Sequence, residues 1–297
     1  MKSIKTLIIA EAGVNHNGKI SVAKKLIKIA AQSGADYIKF QTFNTDKLIT
    51  KNAPKAKYQK KINNKETQYE MLKNLELSIN DHKILINECK KNKIKFMSSP
   101  FDIDSVILLN KLNLKTVKIP STEINNYPYL KQICKYNWKV ILSTGISNYN
   151  EIKKTIKYMN QNGLKKKNLS LLHCNSEYPT PFDDINLLAI NSLRKKTKLN
   201  IGYSDHSEGI EVSIAAVSLG AKIIEKHFTL DKKMSGPDHK ASIEPDELAY
   251  MIKSIRNVEK ALGINQKVIT RSAKNNIKTH TKSIVAIKRI NKGDKFS

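Results

Sequence analysis

Short apolar runs recur along the chain, each ending in polar or charged residues and each followed by a stretch with helical spacing. TLIIAE closes at Glu11, DYIKFQ at Gln41, IKFMSSP near Ser99, TVKIPS at Ser121, KVILSTG near Ser143 and LSLLHC at Cys174. LNIGYSDH and AKIIEKHF close at His206 and His227. Continuous apolar strands alternating with helices predict a parallel sheet covered on both faces. Eight such units in about 250 residues match an α/β architecture, the (β/α)8 or TIM barrel. A doubly wound open sheet is the alternative, although no GxGxxG loop follows the first strand.

The helices between the runs have clear boundaries. SVAKKLIKIAAQSGA stops at Gly34, and SINDHKILINECKKNK begins with a Ser cap at Ser78. NYNEIKKTIKYMNQNG is amphipathic, and EPDELAYMIKSIRNVEKALG opens on Pro245 and stops at Gly263. The longest gap lies between the second and third runs. It holds TKNAPKAKYQKKINNKETQYEML, read as a polar, basic loop of the kind that helps to cover a barrel site. The repeat then ends, so the barrel is assigned to residues 1–265. Residues 266–297 read as a linker, one short strand (SIVAI) and a KGD turn. A lone strand cannot stand by itself, so this segment is expected to be the opening of an incomplete second domain.

Composition narrows the function classes. With 53 Lys and Arg against 26 Asp and Glu, the formal net charge is +27. The lysines are spread over most helices rather than gathered in a stripe, and arginine is rare. Arginine's bidentate fork is favoured for phosphate and base recognition; the charge is therefore read as a bias of solvated faces, with no nucleic-acid partner expected. It can still draw in an anionic substrate. Cys89, Cys134 and Cys174 have no paired spacing, which excludes a disulfide framework or zinc knuckle. No apolar run approaches the ~20 residues that cross a bilayer. LIIA is too short for a secretory apolar core and is interrupted by Glu11. A cytoplasmic protein without a membrane partner is expected.

The strand ends supply the candidate chemistry. Residues 202–238 form a strand–helix–strand unit, and the right-handed crossover makes its strands parallel. His206 and His227 then face one mouth, where two imidazoles can hold a divalent ion, with Asp205, Glu225 and Asp238 nearby; two unrelated histidines, one in the core and one at the rim, are the plainer alternative. The ring of strand-end polar groups includes Glu11, Lys39, Gln41, Ser99, Lys118, Ser121, Ser143, His173, Ser176, Tyr178 and Ser204. Lys39 and Lys118 lie within apolar strands, where a lysine needs an anionic partner or a lowered pKa. With the serine hydroxyls they suggest a phosphate or carboxylate cradle, a Schiff-base lysine being the other possibility; each alone also fits a lysine with its head in water. Glu11 suits a general base, a neighbour of a metal site or an ion-pair partner of a lysine.

IIAEAGVNHNG, IKFQTF, SSPFD, VKIPSTE, ILSTG, LLHCNSEYPTP, GYSDH, EKHFTLD and GPDHKAS, in order over residues 7–242, closely resemble the sialic acid synthase family, the N-acetylneuraminate synthases and their legionaminate and pseudaminate relatives. The resemblance implies a metal-dependent transferase that condenses phosphoenolpyruvate with an N-acetylated amino sugar, N-acetylmannosamine or a diacetamido sugar. It implies Mn²⁺ or Mg²⁺ on His206 and His227. The phosphoenolpyruvate cradle matches Lys39, Ser99, Lys118, Ser121, Ser143, Ser176 and Ser204. The sugar contacts match Gln41, Tyr178 and Asp238, and Glu11 and Glu225 match the acidic residues at the reacting centre. The wording of EKHFTLD and GPDHKAS leans toward the neuraminate and legionaminate branch, with a pseudaminate-type synthase as the runner-up. The family commonly has Gly where this chain has Thr122, so a narrower loop is expected. It also implies a homodimer in which a C-terminal antifreeze-like domain supplies an arginine to the partner's site. KSIVAIKRINKGDKFS resembles only the start of that domain, so a truncated domain, with impaired or merely binding activity, is the competing expectation.

Overall fold

In the computed structural model, which describes residues 5–54 and 67–295, the eight apolar runs form eight strands. These are β1 (Leu7–Gly13), β2 (Tyr37–Thr42), β3 (Lys95–Pro100), β4 (Thr116–Ile119), β5 (Lys139–Ser143), β6 (Leu169–His173), β7 (Asn200–Asp205) and β8 (Ile223–His227). All their ladders are parallel, in the order β3-β2-β1-β8-β7-β6-β5-β4. The sheet curls into a nearly closed (β/α)8 barrel. β3 and β4 lie side by side, but among the described residues no ladder joins them.

The helices are α1 (Ile20–Gln32), α2 (Thr45–Leu48), α3 (Gln68–Leu75), α4 (Ile79–Lys91), α5 (Ile103–Lys111), α6 (Tyr127–Cys134), α7 (Tyr149–Gln161), α8 (Ala189–Thr197), α9 (Glu211–Ser218) and α10 (Pro245–Ala261). Their starts follow local chemistry. The Ser78 hydroxyl accepts from the Asp81 amide at α4, and Asn148 caps α7. Glu244 and Glu247 close a capping box at α10. Gly34 and Gly263, at φ +87° and +55°, take the left-handed conformation that ends α1 and α10 at little steric cost.

Side chains alternate between the barrel interior and the helix-facing layer, because a strand repeats every two residues. Ile8, Ala10, Ile38, Phe40, Val117, Val140, Leu171 and Ile224 join the buried layer under the helices. Ile9, Met97, Ile141, Leu172 and Ile223 instead form a separate apolar plug inside the barrel. Gly202 makes that plug possible: a Cβ there would lie 2.6 Å from both Ile223 Cβ and Leu172 Cδ2. Two residues further along each strand the interior turns polar, from Ile9 to Glu11, Met97 to Ser99, Ile141 to Ser143 and Ile223 to Glu225. One period-2 pattern thus seals one end of the barrel and builds a site at the other.

Two features of the sequence reading change. Residues 55–66 of the long β2–β3 segment lie outside the described residues, but its end is not loop: Gln68–Leu75 is helical, started by a Thr67–Glu70 capping box. The second compact unit, Gly263–Ser297, has two short helices, α11 (Arg271–Lys274) and α12 (Ile277–His280), and a turn in which the Asp294 amide donates to the Asn291 carbonyl at 3.1 Å. SIVAI is not a strand; Ile284, Val285 and Ile287 are exposed, and no ladder partner for them exists among the described residues.

Candidate active site

The polar ends of the strands converge on a cavity of about 330 Å³. Glu11, Lys39, Gln41, Ser99, Lys118, Ser121, Ser143, Ser176, Tyr178, His206, Glu225, His227 and Asp238 all line it. Ser204 stands just behind, its hydroxyl donating to Glu225 Oε1 at 2.9 Å and lying 3.3 Å from His206 Nε2.

A four-membered charge network forms the floor. Lys39 Nζ lies 3.1 Å from Glu11 Oε1 and 3.3 Å from Glu225 Oε2, and donates to Ser99 Oγ at 3.2 Å. Lys118 Nζ lies 3.0 Å from Glu225 Oε1. The two carboxylates are driven apart. Burial favours the neutral form of Glu11 and, with the negative charge of Glu225 adding to it against Lys39 and Lys118, pushes it up to about 8. Burial acts on Glu225 too, but the charges of Lys118 and Lys39, with hydrogen bonds from Lys118 and Ser204, outweigh it and hold this group well below the usual carboxylate range. The two buried carboxyls are thus pushed in opposite directions, a division typical of acid–base sites. Glu11 Oε2 is buried with no hydrogen-bond partner.

The serines leave hydroxyls free for a ligand. Ser143 Oγ is buried and unpartnered. Ser121, Cys174 and Ser176 crowd Gly145 so closely that a Cβ there would lie 2.8 Å from Ser176 Oγ and 3.0 Å from both Cys174 Sγ and Ser121 Oγ. Gly145, unremarked in the sequence beyond the LSTG run, is what lets these hydroxyls gather. Thr122 also lines the cavity.

The two histidines meet at the mouth, ring centroids 5.6 Å apart. His206 Nδ1 donates to the Asn175 carbonyl at 2.6 Å, which fixes the tautomer and leaves Nε2 with its lone pair, accepting from the Tyr178 hydroxyl at 3.0 Å. Burial, with Lys118 adding, lowers His206 to about 4. Burial, His206 and Lys39 together hold His227 well below the ordinary imidazole range. Both rings are neutral, as metal ligands must be. His227 Nδ1 is a buried nitrogen with no hydrogen-bond partner, so the pair fits a divalent cation. No cluster of three or more His, Cys, Asp or Glu suited to a metal occurs among the described residues; the remaining ligands would come from substrate and water.

Two sequence candidates point elsewhere. Asp205 faces the helix layer, where it pairs with Lys226 at 3.1 Å, both side chains fully buried, and accepts from the Ser207 and Ser213 hydroxyls. Sitting one residue before His206, it takes the opposite face of β7. The His173 ring lies tilted against Tyr203 and its Nε2 donates to the Ile185 carbonyl at 2.8 Å; it is a packed structural histidine. Asp238 is raised to about 6 by burial against the pull of Lys39. It stands close to Glu11 and Gln41 around Gly13, where a Cβ would be 3.4 Å from Asp238 Oδ2 and 3.5 Å from both other side chains.

Fold and site together define a (β/α)8 barrel that holds an anion cradle against a pair of neutral imidazoles at the carboxyl ends of its strands. Residues 26–267 match the NeuB family, and the chain belongs to that family. It is 55% identical over 294 residues to the N,N'-diacetyllegionaminic acid synthase of Campylobacter jejuni, covering 99% of this chain and 88% of the relative. The synthase of the same name from Legionella pneumophila is 47% identical over 271 residues, 89% of this chain and 75% of that protein. Among solved structures, the N-acetylneuraminic acid synthetase of Leptospira borgpetersenii, in complex with citrate, superposes with a TM-score of 0.83 at 34% identity, covering 93% of this chain and 92% of that one.

Proposed function

We propose that this chain condenses phosphoenolpyruvate with an N-acylated amino sugar to form a nonulosonic acid, releasing inorganic phosphate. The observation that carries the reading is the juxtaposition, in one cavity, of two buried lysines and a set of serine hydroxyls with paired neutral histidines. Family membership and the relatives' activities support it.

Lys39, Lys118 and the hydroxyls of Ser99, Ser121, Ser143 and Ser176 bind the carboxylate and phosphate of phosphoenolpyruvate, since buried ammonium groups and hydroxyl donors suit a multiply charged anion. C3 of phosphoenolpyruvate attacks the carbonyl carbon of the open-chain sugar, and positive charge develops at C2. Glu225, kept ionised by the two lysines, stabilises that charge. Protonated Glu11, its Oε2 without a partner, donates a proton to the sugar oxygen that gains charge as the C–C bond forms. Water then adds at C2, giving one proton back to the Glu11 carboxylate, and phosphate departs by C–O cleavage, taking the proton of the new C2 hydroxyl as the ketone forms. Gln41, Tyr178 and Asp238 orient the sugar. A divalent cation, Mn²⁺ or Mg²⁺, held by His206 and His227 would polarise the sugar carbonyl as a Lewis acid.

The test is phosphate release from phosphoenolpyruvate carrying ¹⁸O in the C–O–P bridge, in the presence of Mn²⁺ and an amino sugar. Sugar-dependent release of unlabelled phosphate, the ¹⁸O staying with C2, would mean P–O cleavage and defeat the proposed chemistry; the expected phosphate retains the label.

A pH profile separates the carboxylates. Because Glu11 is raised to about 8 and acts as its acid form, kcat/KM should fall as pH rises through about 8. Glu11→Gln should lose about 10²-fold in rate, in the range of general acid catalysis, and its profile should lose that alkaline limb. An unchanged limb in the variant would assign it to another group.

A further inference from the structure

A second cavity, of about 530 Å³, opens at the opposite end of the barrel. Its lining includes the first residues of four strands: Tyr37 of β2, Lys95 of β3, Thr116 of β4 and Lys139 of β5. Because a strand repeats every two residues, Lys95, Thr116 and Lys139 share the interior side with Met97, Lys118 and Ile141, and Tyr37 packs against the interior plug. Cys89, Ile94, Phe96 and Leu114 also line the cavity, and these lie in or against the layer under the helices. A cavity walled by both layers passes between strands. Here it does so at β3 and β4, the neighbours that no ladder joins among the described residues; a ladder holds strands about 4.8 Å apart and leaves no such room.

The lining is chemically two-sided. Lys90, Lys95, Lys115 and Lys139 bring four ammonium groups, and no carboxylate lines the cavity. Among the described residues none of the four takes part in an ion pair. Lys95 Nζ sits over the Tyr37 ring, 5.4 Å from its centroid. The other side is apolar, with Phe96 and Leu112 half-buried above buried Ile94 and Leu114. An inorganic anion would meet the lysines and leave that side wet. A neutral aromatic molecule would leave four charges without a counter-ion. A nucleoside triphosphate satisfies both sides, its phosphates on the ammonium groups and its base against the apolar residues. The volume falls within the range of about 300–1,000 Å³ usual for small-molecule sites.

We infer that this cavity is a second ligand site, for a nucleoside polyphosphate, whose occupant weakens phosphoenolpyruvate binding at the far end of the same seam. The coupling follows from the topology. Ser99 and Lys118 reach the active-site cavity from the two edges whose first residues, Lys95 and Thr116, wall the second one. A nucleotide between those edges favours their separation, whereas an anion shared by Ser99 and Lys118 favours their approach. Ligands that favour different arrangements of one element oppose each other, by the same factor in both directions. The coupling rests on the synthase reading; the nucleotide site does not.

The test is calorimetric titration of the full chain with ATP, adenosine and tripolyphosphate, followed by titration with phosphoenolpyruvate at rising fixed concentrations of ATP. ATP should bind at least about tenfold more tightly than adenosine or tripolyphosphate, because only ATP uses both sides of the cavity. Lys95→Gln/Lys139→Gln, at two exposed positions, should weaken ATP binding about tenfold, the loss expected of two exposed charge pairs, and leave phosphoenolpyruvate affinity unchanged when ATP is absent. Saturating ATP should weaken phosphoenolpyruvate binding about fivefold and then no further. A shift that keeps growing with ATP puts the nucleotide in the active-site cradle and overturns the inference. So does ATP that fails to bind, that binds no better than tripolyphosphate, or that leaves phosphoenolpyruvate affinity unmoved. A chain that binds ATP in this pattern but not phosphoenolpyruvate overturns the synthase reading and with it the coupling, while the nucleotide site stands on its own titration.

Discussion

His206→Ala and His227→Ala are each expected to cut sugar-dependent phosphate release by about 10³-fold or more. Lewis-acid polarisation of a carbonyl supplies several kcal/mol of transition-state stabilisation, and each ~1.4 kcal/mol is tenfold in rate. His227 Nδ1 has no internal hydrogen bond to lose; His206→Ala gives up the ring's bonds to the Asn175 carbonyl and the Tyr178 hydroxyl but keeps the backbone carbonyl that holds the Thr180 amide, so its folding is checked by thermal denaturation. Calorimetric titration with Mn²⁺ gives an independent readout: binding to the wild type should disappear in both variants while phosphoenolpyruvate still binds. Undiminished Mn²⁺ affinity in either would remove that histidine from the metal site.

The second large effect is on stability. Lys226→Met should destabilise the chain by about 3–5 kcal/mol, the range for breaking a buried pair from one side. Lys226 Nζ lies 3.1 Å from Asp205 and donates to the Ser207 carbonyl at 2.6 Å. Burial lowers the lysine's pKa, with Asp205 opposing it. Removing the ammonium strands a carboxylate that no water reaches. The double variant Asp205→Asn/Lys226→Met should recover much of the loss, since replacing both charges removes the uncompensated one. Urea denaturation of the wild type, Lys226→Met, Asp205→Asn and the double variant gives the cycle; a loss under about 1 kcal/mol for Lys226→Met would mean the pair contributes no more than an exposed one. The pair also joins β7 to β8 one residue before each histidine, so Mn²⁺ affinity should weaken along with stability.

Much of this was legible in the chain because strands repeat every two residues. Apolar runs ending in Glu11, Ser99 or His227 announce both the barrel and the end at which its site opens. The same periodicity, applied to Asp205, gives the opposite face from His206; proximity in sequence to a candidate ligand was the wrong guide there. α3 was hidden in a lysine-rich segment, although Thr67 and Glu70 have capping-box spacing. SIVAI has the composition of a strand, but a strand exists only with a partner, which composition cannot supply. His173 and Gly145 depend on what other elements bring against them, and neither the Ile185 carbonyl nor the hydroxyls of Ser121 and Ser176 can be located from local pattern.

The unjoined edges of β3 and β4 give the cradle a further part to play. Ser99 stands at the end of one edge, and Lys118 and Ser121 at the end of the other. An anion held by all three, as the proposed function has it, would bridge the gap that backbone hydrogen bonding leaves open. Under the proposed function phosphoenolpyruvate would then serve as a clasp as well as a reactant, and the seam is where its binding would stiffen the barrel.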